Sequence, residues 1–300
     1  MAAALPVSST LAVETDGSFP GLLTAYAVAY RHGALPASVR QSGQAASGAL
    51  FGETLPVETD VGLAERVERG LERVKPGLTG RLHRAFLSER PGMEVAVLRV
   101  IDAAQAEGAG AVDDWTFEPA REVARWSGRV GREAHRMEAF VRFERLAAGD
   151  DEHAERWAAV ARPEYHVLPL LGEHFGTRYP TMAWRIVDAR RRLALVHTPE
   201  PNRQPGEPAT SIVPAGDLDL PGPAPDEAAM QTMWRAYFQA VTIPERRNLK
   251  LHLRHVPKRY WPYLTEKQAG PPSPPVRPAR SPARAAVPAK GPSGAAGRSA

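Results

Sequence analysis

Five arginines, Arg121, Arg125, Arg129, Arg132 and Arg136, recur at intervals of three or four residues. On a helix that spacing lines most of them along one side, and a row of forked guanidinium donors can follow a phosphate backbone. The same spacing also suits a solvated face neutralised by Glu118, Glu122 and Glu133, since charge runs on helices commonly only keep a surface wet. Spacing alone leaves both readings open. A second basic block, Arg246, Arg247, Lys250, Arg254, Lys258 and Arg259, is interleaved with His252, His255, Tyr260, Trp261 and Tyr263. Its cations can neutralise phosphates while an aromatic face such as Trp261 stacks on an unpaired base, at about 1–3 kcal/mol per stack. Alternatively Tyr260 and Trp261 dock this segment on the core and leave the cations outside, to meet nucleic acid or an acidic partner. The candidate nucleic-acid contacts are therefore Arg129, Arg132, Arg136, Arg246, Arg247, Lys258, Arg259 and Trp261.

Proton-transfer chemistry needs a carboxylate and an imidazole close together. Glu133 and His135 are the nearest such pair, but residues two apart do not share a helix face. They converge only if the helix ends between them; otherwise His135 is a helix-end residue that satisfies backbone carbonyls. Asp188, placed before Ala189-Arg190-Arg191, is either a turn-former or a third candidate catalytic group. His252 with His255, and His166 with His174, lack acidic or cysteine partners at zinc-site spacing, and no H-E-x-x-H is present. No metal is expected. Walker, Rossmann, G-x-S-x-G and deaminase signatures are also missing, so no cofactor is expected.

The 300 residues hold no cysteine, which excludes disulfides, thiolate zinc sites and cysteine-held iron–sulfur clusters in this chain. No apolar run approaches the ~20 residues of a membrane span, and the N-terminal residues lack the pattern of a secretory signal. A soluble cytoplasmic protein without membrane contact is the expectation. The net charge of +4 is modest, so the placement of charge matters more than its total.

Several elements must position these groups. Leu11 to Thr15 reads as a strand, Asp16-Gly17-Ser18 as a turn, and Pro20 to His32 as a helix. The stretch from Pro36 to Gly48 reads as a loop. Thr59-Asp60 caps a helix carrying Leu63, Val67, Leu71 and Val74, and further helices carry Leu78–Phe86, Met93–Ala104 and Pro119–Ala134. From Met137 the alternation of Ala139, Val141 and Phe143 predicts a strand. Arg156–Ala161 reads as its partner, followed by a helix at Leu168–Phe175 and a hairpin of Ala183–Asp188 with Leu193–His197. The expected fold is α+β: a helical half (about 12–135) packed with a small antiparallel ββαββ sheet unit (about 136–198). A Pro-rich insertion (about 199–225), a helical basic segment (226–268) and a disordered basic tail (269–300) complete a single domain over residues 1–268.

The block Val130-Gly-Arg-Glu-Ala-His-Arg-Met-Glu-Ala-Phe-Val-Arg-Phe143, with Tyr165-His-Val-Leu-Pro-Leu-Leu171, Pro244-Glu-Arg-Arg-Asn248 and Pro257-Lys-Arg-Tyr-Trp261, resembles one bacterial family. Asp16-Gly-Ser-Phe19, Phe86-Leu-Ser-Glu89 and Met182-Ala-Trp184 add to the resemblance, which runs from about Val13 to Glu266. These are DNA-metabolism or DNA-repair proteins encoded beside a radical-SAM enzyme, and their shared domain is of unknown function. Relatives are sometimes fused to a uracil-DNA glycosylase domain, which this chain lacks. The resemblance implies a DNA setting and a radical-SAM protein partner that carries any cluster; it implies no catalytic residue. The expected function is a nucleic-acid-binding accessory protein. The alternatives are a nuclease- or glycosylase-type enzyme using Glu133, His135 and Asp188, and a protein–protein adaptor without nucleic-acid binding.

Overall fold

A strand–turn–helix–strand unit opens the chain. The computed structural model describes residues 4–43, 53–147, 156–200, 208–217, 222–243 and 248–268. In it, β1 (Val7–Thr15) turns through Asp16-Gly17-Ser18 into α1 (Phe19–His32) and returns as β2 (Leu35–Gln41). Gly17 sits at φ +79°, a conformation that favours glycine, and a Cβ there would also push the exposed Gln41 side chain aside. The Ser18 hydroxyl accepts from Gly21 N at 2.9 Å, and Pro20 occupies the first turn of α1. β2 and β3 (Glu53–Pro56) both pair parallel to β1, in the order β2-β1-β3. The loop expected from Pro36 is therefore a strand as far as Gln41. Pro36 is tolerated because β2 is an edge strand, where a missing N–H removes no necessary ladder bond.

The helical layer follows: α2 (Val61–Val74), α3 (Leu78–Phe86), α4 (Met93–Glu107), the short α5 (Ala109–Val112) and α6 (Glu118–Phe140). Asp60 caps α2 by accepting from Leu63 N. α6 corrects the expected change of period at Met137. Val123, Trp126, Val130, Ala134 and Met137 are all buried at helical spacing, so one stripe carries the helix through to Phe140. The strand that begins after it is only β4 (Glu144–Arg145).

β5 (Arg156–Ala161), α7 (Leu168–Arg178), β6 (Ala183–Asp188), β7 (Leu193–His197) and β8 (Thr210–Pro214) complete a sheet of order β4-β5-β6-β7-β8. The sheet is mixed and not antiparallel throughout. β5 and β6 run parallel because α7 carries the chain back across the sheet between them, whereas β4, β7 and β8 pair antiparallel. β8 falls inside the stretch that reads as a Pro-rich insertion. α8 (Glu227–Ala240), α9 (Leu249–His255) and 3₁₀ turns at Lys258–Tyr263 and Thr265–Lys267 finish the described chain. Arg246, Arg247, residues 201–207 and 218–221 of the Pro-rich insertion, and the tail 269–300 lie outside the described residues.

One apolar core runs from Leu22 and Leu23 of α1 through Ile101 of α4 and Val130 of α6 to Leu171 of α7 and Ile186 of β6. Tyr260 and Leu264 belong to the same core, which ties the C-terminal turns to α6. No helix among the described residues is long and apolar enough to cross a membrane.

Candidate nucleic-acid interface

The buried indole of Trp126 organises one patch of α6. The guanidinium carbons of Arg90, Arg129 and Arg125 lie 4.6, 4.6 and 5.1 Å from its ring centre, within reach of the ring's negative face. The indole N–H donates to Glu122 Oε2 at 2.8 Å, and Arg125 pairs with the other oxygen at 3.2 Å. The indole bond, with Arg125, holds Glu122 below the ordinary carboxylate range. Among the described residues no carboxylate lies within ion-pair distance of Arg90, Arg129 or Arg132. Tyr165 meets Trp126 edge-on at 6.2 Å and donates its hydroxyl to Glu164. Burial and Glu164 push that hydroxyl above the ordinary tyrosine range, while Arg129 pulls against them.

A guanidinium–carboxylate network lies beside this patch. Glu133, 1% exposed, takes Arg259 on Oε2 at 2.6 Å and the backbone N–H of Glu164 on Oε1 at 2.9 Å. Arg259 also approaches Glu164 Oε2 at 3.5 Å and donates to the Tyr260 hydroxyl at 3.0 Å. The Glu164 carbonyl accepts from Arg190 and Arg191 at 2.6 and 3.0 Å. Arg191 then reaches Asp188 at 2.8 Å and forks onto Glu89. Asp188 is completely buried, and its Oδ1 accepts the backbone N–H groups of Arg190 and Arg191 at 2.8 and 3.2 Å. It closes the β6–β7 turn and anchors Arg191 at once. Glu89 holds φ +52°, a conformation rare for a long side chain, with its carboxylate fixed by Arg191.

The structure separates Glu133 from His135. α6 runs through both, the His135 side chain is 86% exposed, and its Nδ1 lies 3.2 Å from Glu138. Glu133 and Asp188 belong to one network joined through Glu164, yet an arginine occupies each. Among the cationic candidates, Arg129, Arg132 and Lys258 are exposed, and Arg136 reaches the Arg254 carbonyl at 3.4 Å. Arg259 is half-exposed above Glu133. Trp261 is half-buried against the core, with its N–H on the Val256 carbonyl and Lys267 Nζ 5.6 Å above its ring. Arg90, Glu164, Arg190 and Arg191 complete the site and carry no sequence signature, except that the arginine run after Asp188 marks a turn. No cluster of three or more His, Asp or Glu side chains among the described residues is arranged to hold a metal.

His83 and His166 flank the site. Burial depresses both imidazoles below the ordinary value of 6.5, aided for His83 by His166 and for His166 by Arg191. The unfolded chain therefore binds these protons more readily than the folded chain. The stability involved is complete above pH 6.5, the unfolded value, and is lost as pH falls from there toward the folded values. Thermal melts should show a lower Tm at about pH 5.8 than at 7.5, and His83→Phe, which keeps a ring against Phe19, should shrink the difference. An unchanged difference in that variant would remove His83 from the account.

The fold and the site thus define an α+β protein with a cationic patch set on a single long helix. A family model described as a domain of unknown function, DUF4130, matches residues 91–266, and the chain belongs to that family. The match begins just before α4 and ends at Glu266, so it takes in α6, the mixed sheet and Arg259 and leaves out the N-terminal parallel sheet. No curated protein and no solved structure matches the chain.

Proposed function

We propose that this chain is a cytoplasmic nucleic-acid-binding accessory protein in DNA metabolism or repair, acting beside a radical-SAM enzyme. Phosphates bind along Arg129, Arg132 and Arg136 of α6, with Lys258 and Arg259 at the adjoining C-terminal turn. The observation that carries this reading is the gathering of Arg90, Arg125 and Arg129 around Trp126, with Glu122 the one carboxylate among the described residues that pairs there. Like charges held this close repel, and an anionic ligand relieves the repulsion. The DNA setting and the radical-SAM partner rest on the resemblance of the blocks around Val130–Phe143 and Tyr165–Leu171. An enzymatic reading through Glu133 and Asp188 has less support, because arginine occupies both carboxylates.

Fluorescence anisotropy across a salt series, with single- and double-stranded DNA, tests the proposal. The chain ending at Gln268 should bind, and Arg129→Ala and Arg132→Ala should each reduce the log–log salt slope by about 0.9 on duplex or about 0.7 on single strands. Absence of salt-sensitive binding once the tail is removed would overturn it. The adaptor reading has an observation of its own, since α8 leaves Met230, Met233 and Tyr237 exposed. Co-purification with the radical-SAM partner without retained nucleic acid would put that reading first.

A further inference from the structure

Beyond the arginine row, the last turns of α6 meet β4, β5, α7 and α8 around an open groove of about 1150 Å³. The apolar part of its lining is mostly flat rings, not branched aliphatic chains, with Phe143, Trp157 and Tyr179 on the body and Trp234 on α8, and the carboxylates Glu138, Asp226 and Glu227 share the lining. Tyr179 stacks on the buried Phe175 at 6.4 Å with an interplanar angle of 13°, so one wall is a fixed aromatic surface. Trp234 is 39% exposed and held in place, its N–H bonded to Glu266 at 3.0 Å and Arg142 5.6 Å from its ring centre.

The charges at the rim are not equivalent. Arg142 is paired with Glu266, and Arg145 with Asp226. Arg178 is exposed, donates Nε to the Tyr179 hydroxyl at 3.1 Å, and meets no carboxylate among the described residues. A guanidinium next to ring faces suits a heteroaromatic group that carries an anion. A lipid chain would find few of the branched aliphatic contacts it requires. The groove's near edge is formed by His135, Glu138 and Ala139, directly beyond Arg132 on the same helix. From Arg129 to Ala139 the axis advances about 15 Å, a distance that a few nucleotides of extended strand can cover.

We infer that the groove binds an unpaired nucleobase with its phosphate, the base on the ring faces of Tyr179 and Trp234 and the phosphate on Arg178. This rests on the nucleic-acid reading of the α6 face for its delivery, though a free nucleotide presents the same chemistry. The test uses the full chain and 2-aminopurine, whose emission reports stacking, in two forms: within a single-stranded oligonucleotide and as the free deoxynucleotide. Emission should change on binding. Trp234→Ala should weaken that change about tenfold, within the range of one lost stack, and Trp234→Phe should restore it, with circular dichroism showing both variants folded. Arg178→Ala should weaken the free nucleotide as well. Strand binding by anisotropy without any emission change would overturn the groove and leave the α6 face standing. An emission change with the free nucleotide alone, dependent on Trp234, would uphold the groove while removing the strand reading. No emission change and no anisotropy change with either form would overturn both.

Discussion

Asp188→Ala should destabilise the fold by about 3–5 kcal/mol, the cost of breaking a buried ion pair from one side. Asp188 is completely buried and serves three donors: the backbone N–H groups of Arg190 and Arg191 and the Arg191 guanidinium. Removing it leaves Arg191, whose side chain is 9% exposed, with Glu89 as its remaining carboxylate. Asp188→Asn retains an oxygen for the two backbone donors and loses only the charge, so its loss should be clearly smaller. Urea denaturation of the three proteins measures the difference through the transition midpoints. Equal losses for alanine and asparagine would show that the ion pair matters and the turn does not. A loss below about 1 kcal/mol for alanine, within the ordinary spread of single substitutions, would show that the network is dispensable.

The second large effect is expected at Glu133. Glu133→Ala removes the acceptor for Arg259 and for the Glu164 N–H, and the lost bonds together should amount to about 2–3 kcal/mol. The figure is lower than for Asp188 because Arg259 is 39% exposed and can turn to solvent. The consequence should be regional. Arg259 and Tyr260 sit in the 3₁₀ turn that ties the C-terminal segment to α6, so amide exchange should accelerate over residues 258–267 before the rest of the fold. Protection unchanged there would mean that Tyr260 and Leu264 hold the segment by packing alone. Glu133→Gln also bears on the enzymatic alternative: a variant that folds normally but abolishes turnover of a damaged oligonucleotide would give Glu133 a catalytic part.

Much of the architecture follows from local chemistry that the sequence displays. The Asp16-Gly17-Ser18 turn, the Asp60 cap, and the hairpin around Ala189-Arg190-Arg191 are each written in a few adjacent residues, and each forms where expected. What escaped depends on neighbours far along the chain. β2 and β3 are short, polar and broken by prolines, and they become strands only because β1 lies between them. The run Ala139, Val141, Phe143 fits a strand period locally, but burial of Met137 carries the helix on to Phe140 and leaves Val141–Phe143 as the connection to β4. The site divides in the same way. Arg125 and Arg129 belong to a visible row, whereas Arg90 reaches Trp126 from the turn before α4. Glu133 stands out as a carboxylate in a helix, yet its partner Arg259 lies 126 residues away, and no spacing rule connects positions that far apart.

β8 changes how the proline-rich stretch should be regarded. Thr210–Pro214 pairs with every residue of β7 from Leu193 to His197, although the surrounding sequence resembles dispensable connecting material. Shortening the chain through that stretch would strip β7 of its outer neighbour and leave a row of backbone donors and acceptors open along Leu193–His197. A strand in that condition is a template for intermolecular pairing. The stretch thus supplies the strand that covers β7, and a shortened chain is expected to aggregate through the uncovered Leu193–His197 edge while keeping every residue of the basic face.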